Sequence, residues 1–207
     1  MPQPPQYLAG EQGRKRERAR GRSPLLPLPL SSLLLLLLLL CPRARPAEEV
    51  QLPEYQVKAA LLLNLVRYSD WPVGAFAQTN SPYVIGIVGR DPFGADLEKT
   101  FERKKVKGRP FLLKRVSSDP EMRACHLLFV SSSERRRSRD LLEKLRGAPV
   151  MTVGESPDFL DQGGVINLLL KNGSVPFEIN LEPARIARLK LDANLLKVAA
   201  SVRGKHE

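Results

Sequence analysis

The distribution of apolar positions divides the chain into a leader and a region of short alternating elements. Leu25 to Cys41 is largely apolar and contains eight consecutive leucines, Leu33 to Leu40. Beyond Glu48 the apolar residues gather in shorter blocks. From Glu54 to Asp70 they recur at three- and four-residue intervals, through Tyr55, Ala59, Leu62, Leu63 and Val66, which predicts a helix. Pro72 stops it, because the residue before a proline avoids the helical region. Tyr83 to Val88 (YVIGIV) is a continuous apolar run, as in a strand buried on both faces. Asp91 suits a helix cap and Pro92 a first helical position, for a helix reaching about Phe101. Arg109 to Val116 and Cys125 to Ser131 (CHLLFVS) come next as strands. Ser133-Glu134 then opens a basic helix that ends near Arg146-Gly147. Val150 to Val153 is a fourth strand, with a short helical turn near Phe159. Gly164 to Leu170 and Val175 to Leu181 are strands joined through Lys171-Asn172-Gly173, where Asn-Gly signals a hairpin. Pro183 to Val202 is predicted as one C-terminal helix, its apolar stripe formed by Ile186, Leu189, Leu191, Leu195, Leu196 and Val198.

This alternation implies a single α/β domain over residues 54–203. Its mostly parallel sheet is flanked by helices and carries an antiparallel strand pair near the C-terminus. Residues 1–47 stand apart. A basic stretch, Arg14 to Arg22, precedes the leucine-rich run, in the order of a secretory signal peptide. The run is about 16 residues long, short of the ~20 that a spanning helix needs, and Pro27 and Pro29 shorten it further. Positive charge ahead of the run favours translocation of the chain on its C-terminal side. The domain is therefore expected to be exported behind a cleaved signal, with an uncleaved membrane anchor as the alternative.

Charge changes this picture little. The net charge is +11, but residues 1–47 hold eight basic and two acidic side chains, over half of the excess. The basic run Arg135-Arg136-Arg137 and Arg139 lacks interleaved aromatic residues, so no nucleic-acid partner is expected. Its arginines are expected to form the solvated face of a helix.

Candidate chemistry is sparse. With Cys41 in the leader, Cys125 is the sole thiol of the domain, which excludes an intramolecular disulfide and a Cys-based zinc site. Cys125 and His126 are adjacent on a strand and point to opposite faces, so they form no dyad. Cys125 is expected to be a buried structural thiol. Glu155, Asp158 and Asp161 have no histidine beside them, and neither a metal site nor an acid–base pair is assigned to them. The reading is non-enzymatic, with no cofactor. Gly86, Gly89 and Gly94 do not match G-x-G-x-x-G, and Gly89 is expected to make a tight turn. Arg90 and Ser131, Ser132 and Ser133 lie just past strands and could line the crevice at which open α/β sheets bind ligands. Glu178 and Asn180 share one face of their strand and complete the binding candidates, with Arg185 or Arg188 the expected ionic partner of Glu178. Trp71, Gly89, Cys125, Gly163, Gly164 and Phe177 are the structural candidates.

Eight stretches, in order over about 54–200, resemble the YfiR-like family of bacterial periplasmic regulatory proteins. They are EYQVKAALLLNLVRYSDWP, IGIVGRDPFG, VKGRPF, CHLLFVSSSE, PVMTVGESPDF, GGVINLLL, FEINLEPAR and LKLDANLLKVA. The resemblance implies an α/β domain without known catalysis that acts in the envelope. Such proteins restrain a membrane-bound diguanylate cyclase through its periplasmic portion, and release raises cyclic di-GMP and favours biofilm. Similar domains also occur beside histidine kinases. The partner implied is an envelope or inner-membrane signalling protein, with a small ligand and a homodimer left open. Better-known members carry a disulfide ending near the position of Cys125, for which the strand YVIGIV offers no thiol. Redox control of that kind is not implied here.

Overall fold

The computed structural model describes residues 53–204. The leader and the signal peptide expected there lie outside the described residues. The order of elements is α1 (Glu54–Arg67), β1 (Ser69–Asp70), β2 (Tyr83–Val88), α2 (Ala95–Phe101), β3 (Lys105–Val106), β4 (Arg109–Val116), α3 (Asp119–Arg123) and β5 (Leu127–Val130). A 3-10 turn (Ser132–Glu134) leads into α4 (Ser138–Leu145), β6 (Met151–Gly154), β7 (Ile166–Leu168), β8 (Phe177–Asn180) and α5 (Leu181–Ile186). β9 (Lys190–Leu191), α6 (Ala193–Val198) and β10 (Ser201–Arg203) complete the domain.

Eight strands form one sheet in the order β10-β8-β7-β6-β5-β2-β4-β3. All neighbours are parallel except β7 with β8 and β3 with β4. This is the expected α/β architecture, including the antiparallel pair. Its connecting turn places Asn172 and Gly173 at positive φ (51° and 74°), the backbone that a two-residue hairpin turn requires. Alternate residues of each central strand enter separate cores. Ile85, Ile87, Leu127, Phe129, Met151 and Val153 face α1 and α2. Val88, Leu128 and Val130 face α3 and α4, with Met122, Leu141, Leu142 and Leu145. Burial on both faces explains why these strands read as continuous apolar runs.

Several boundaries differ from the sequence reading. The predicted helix Pro183 to Val202 is broken into α5, β9, α6 and β10. Arg188, at φ 56°, turns the chain sharply after α5. Lys190–Leu191 then pairs with Ser69–Asp70, and Asp192 caps α6 by accepting from Asn194 N at 2.7 Å. The stripe splits accordingly: Leu189 and Leu195 are buried, while Val198 is 70% exposed. α1 ends at Arg67 rather than Asp70 for the same reason, since residues 69–70 are drawn into a strand. The helix expected at Asp91-Pro92 begins only at Ala95. Asp91 Oδ1 accepts from Phe93 N at 2.8 Å in a local turn, and its other oxygen pairs with Arg115. The basic helix opens at Ser138, not Ser133, after the 3-10 turn. α3 has no counterpart among the expected elements; Ser118 and Glu121 make a capping box around its first turn. Among the described residues no helix is long and apolar enough to cross a membrane.

Candidate functional site

β2, β5 and β6 run parallel, so their C-terminal ends lie side by side. From β2 the chain moves outward to β4 and then back past β2 to β5. The turn of direction between β2 and β5 is where open α/β sheets place their binding crevice. Here side chains of the loop after β5 pack closely on the end of β2. Gly89 takes φ 90°, and a Cβ on it would fall 2.5 Å from Ser133 Oγ and 2.7 Å from Glu134 Cγ. Arg90 N donates to Ser133 Oγ at 2.9 Å, tying the two loops together. Ser133 N donates to Ser131 Oγ at 3.3 Å, which caps the 3-10 turn. So Arg90, Ser131 and Ser133 are joined through backbone and hydroxyl groups, while the N–H of Ser132 turns to Glu155.

Beside them lies a buried ion pair. Glu155, just past β6, accepts through Oε1 from Ser132 N at 3.0 Å and through Oε2 from Lys58 Nζ at 2.7 Å. Tyr55 OH donates to Oε2 at 3.3 Å, and Glu54 stands 2.5 Å from Lys58. Burial opposes the charged form of both groups, and the hydrogen bonds outweigh it. The Glu155 carboxyl is held below its ordinary range and the Lys58 ammonium above its own. Lys58 Nζ and both Glu155 oxygens have partners, so the cluster acts as a clamp between α1 and the strand ends. Sequence reasoning missed it. The available signal was Lys58 itself, a cation set within the apolar stripe of α1, one turn after Glu54.

Glu178 and Asn180 lie elsewhere, on one face of β8. Glu178 Oε1 accepts from Ser201 Oγ at 3.0 Å, so β10, not Arg185 or Arg188, supplies its partner. Asn180 Oδ1 accepts from Glu182 N at 3.1 Å and caps α5. Asn180 also borders a cavity of about 230 Å³ walled by Leu142, Leu145, Leu160, Val165 and Ile186.

The structural candidates occupy both cores and the turns between them. Cys125 Sγ points at the α3 side, 3.3 Å from Glu121 O, and burial pushes the thiol up to about 11. His126 faces the other way, among Trp71, Phe76 and Tyr83. Trp71 Nε1 donates to His126 O at 3.0 Å. Phe159 is wedged between Gly154 and Gly164, on each of which a Cβ would approach its ring to 2.3 and 2.2 Å respectively. Gly163 turns at φ 98°, and Phe177 is buried in the α1-side core. The exposed Arg135 and Arg137 pair with Asp158 and with the largely buried Glu134, respectively.

Fold and site together define a doubly covered, mostly parallel α/β domain with a buried polar clamp at its strand ends. The chain belongs to the YfiR/HmsC-like family, whose model matches residues 55–200. No curated protein matches it in sequence. Among solved structures it is similar to a conserved domain protein from Vibrio cholerae O1 biovar El Tor, with 9% identity and a TM-score of 0.48 over 70% of this chain and 60% of that one. It is also similar to an ABC domain in complex with L-Trp from Streptococcus pneumonia, with 12% identity and a TM-score of 0.46 over the same shares. The chain thus covers 60% of the length of each.

Proposed function

We propose that this chain is an exported, non-catalytic regulator that restrains a membrane-bound signalling protein, such as a diguanylate cyclase, through its periplasmic portion. Membership of the YfiR/HmsC-like family over 55–200 carries this reading. The site is in keeping with it. The one histidine of the described residues is turned away from the one thiol, and at the end of β2 Ser133 and Glu134 pack closely on Gly89. The basic and leucine-rich leader supports export, with a cleaved signal peptide ahead of the domain. The test is crosslinking in intact cells followed by purification of this chain. An inner-membrane protein with a signalling domain should come with it, and deletion of the gene should raise cyclic di-GMP. Recovery of no envelope protein would count against the proposal.

A second reading, a periplasmic small-ligand sensor acting with a histidine kinase or transport system, draws on the cavity beside Asn180. A ligand that binds only the folded state must raise the melting temperature, so a thermal-shift screen separates the two readings.

A further inference from the structure

At the end of the sheet opposite the clamp, residues 71–82 lie across the beginnings of β2 and β5. The middle of this segment is hydrogen-bonded by His126, which is 6% exposed, while Phe76 beside it also packs on Tyr83, with centroids 5.1 Å apart. Its Nδ1 accepts from Val84 N at 3.0 Å, and its Nε2 stands 3.1 Å from the carbonyl oxygen of Ala75. A backbone N–H can only donate and a carbonyl can only accept, so the ring must be neutral with its proton on Nε2. Phe76 stacks on the imidazole, with centroids 4.2 Å apart, and the Arg109 guanidinium sits 3.8 Å from the Phe76 centroid. Trp71 donates to the backbone of the same residue.

We propose that His126 is a proton-sensitive latch: neutral, it fastens residues 71–77 to the sheet, and on protonation it releases them. A proton on Nδ1 would face the Val84 N–H, donor against donor. The new cation would also share the Phe76 ring with Arg109. The other groups around it offer no compensation. Tyr83 and Trp71 carry no negative charge, and the one carboxylate bordering the cleft, Asp70, is engaged by Lys107. The ring must therefore swing out, which dismantles the Phe76 stack and the Ala75 contact. What opens is the cleft of about 540 Å³ between Trp71, Phe76, Tyr83 and Arg109. The far end of the segment stays tied, since Arg109 also donates to the carbonyl oxygens of Gln78 and Ser81 at 3.0 and 2.8 Å.

Burial first, and Arg109 with it, hold the imidazole below its ordinary value against the opposing pull of the Ala75 carbonyl. The unfolded chain thus takes up this proton before the folded one. The latch is intact above the ordinary histidine value of about 6.5 and is lost as pH falls below it. This is a property of the domain and stands whether or not the partner proposed above is correct.

Trp71 is the only tryptophan of the chain and a built-in reporter. Titrating the full chain in mild detergent from about pH 8 to about pH 4.5 should change its emission in one transition centred below about 6.5. Far-UV circular dichroism should stay constant throughout. Cleavage within residues 71–82 by an added protease should become about tenfold faster at the acid end. His126→Gln retains an acceptor oxygen and a donor amide but cannot titrate, and should abolish both responses. The outlying His206 is present in both proteins and cancels in the comparison. A flat wild-type titration, the same transition in His126→Gln, or loss of circular dichroism in step with emission would each overturn the proposal. Should His126→Gln fail to fold, nitrogen NMR of the wild-type imidazole decides. Protonated Nε2 and bare Nδ1 at neutral pH support the latch, and the opposite tautomer or an imidazolium refutes it.

Discussion

Lys58 Nζ lies 2.7 Å from Glu155 Oε2, and both side chains are almost completely shielded from solvent, at 3% and 4% exposure. The pair joins the first turns of α1 to the end of β6. Removing one partner leaves the other as an uncompensated buried charge, whereas replacing both with apolar groups removes that penalty. Lys58→Met should therefore destabilise the domain by about 3 kcal/mol in urea unfolding, while Lys58→Met with Glu155→Leu should cost clearly less. Additive losses would show that the two residues act independently.

The same pair sets a pH window. The Glu155 carboxyl titrates lower in the folded state than in the unfolded one, so its contribution is present above the ordinary carboxylate range and is lost as pH falls through the folded value. The Lys58 ammonium titrates higher when folded, so its contribution is lost as pH rises beyond the ordinary lysine range. Denaturant midpoints of the wild type should decline at both extremes, and those of the double variant should decline less.

Phe159 fills the space left by two absent side chains. Gly164→Ala would bring a methyl group to 2.2 Å from the ring and Gly154→Ala to 2.3 Å, in a packed core with little room to yield. Each is expected to cost about 2–3 kcal/mol, the range for an overfilled core. Trimming the ring in Gly164→Ala with Phe159→Leu should recover part of the loss, measured by thermal unfolding.

Burial pushes the Cys125 thiol up to about 11, so almost none of it is thiolate at neutral pH. Alkylation by iodoacetamide in the native protein at about pH 8 should be more than about tenfold slower than in denaturant. Equal rates would mean that the thiol is neither buried nor suppressed.

Arg188 adopts φ 56°, a backbone that costs a residue with a Cβ about 1 kcal/mol. Arg188→Gly should raise stability by a few tenths of a kcal/mol, because relief of that strain slightly exceeds the entropy that glycine forfeits on folding. A clear loss in urea unfolding would indicate that the Arg188 side chain makes a compensating contact.

The central sheet was legible because its strands are buried on two sides. YVIGIV, LLFV and MTVG have no polar face, and each became a strand flanked by others in parallel. Lys171-Asn172-Gly173 was legible for a different reason, since it demands a backbone that few other residues tolerate. The C-terminal region was misread because its apolar spacing fits a helix, while pairing of residues 190–191 with residues 69–70 overrides that preference. Short pairings between segments so distant in the chain leave no local trace. The candidate site shows the same division. Gly89 and the three serines were found through their position at strand ends, but the two halves of the clamp lie 97 residues apart and only the folded chain brings them together.

The clamp also has a mechanical consequence. Fraying of α1 from Glu54 meets the Lys58–Glu155 bond within about one helical turn. That bond joins α1 to β6, in the middle of the sheet. Unravelling of α1 from its first turn would have to begin by tearing two opposite charges apart in a nearly dry setting.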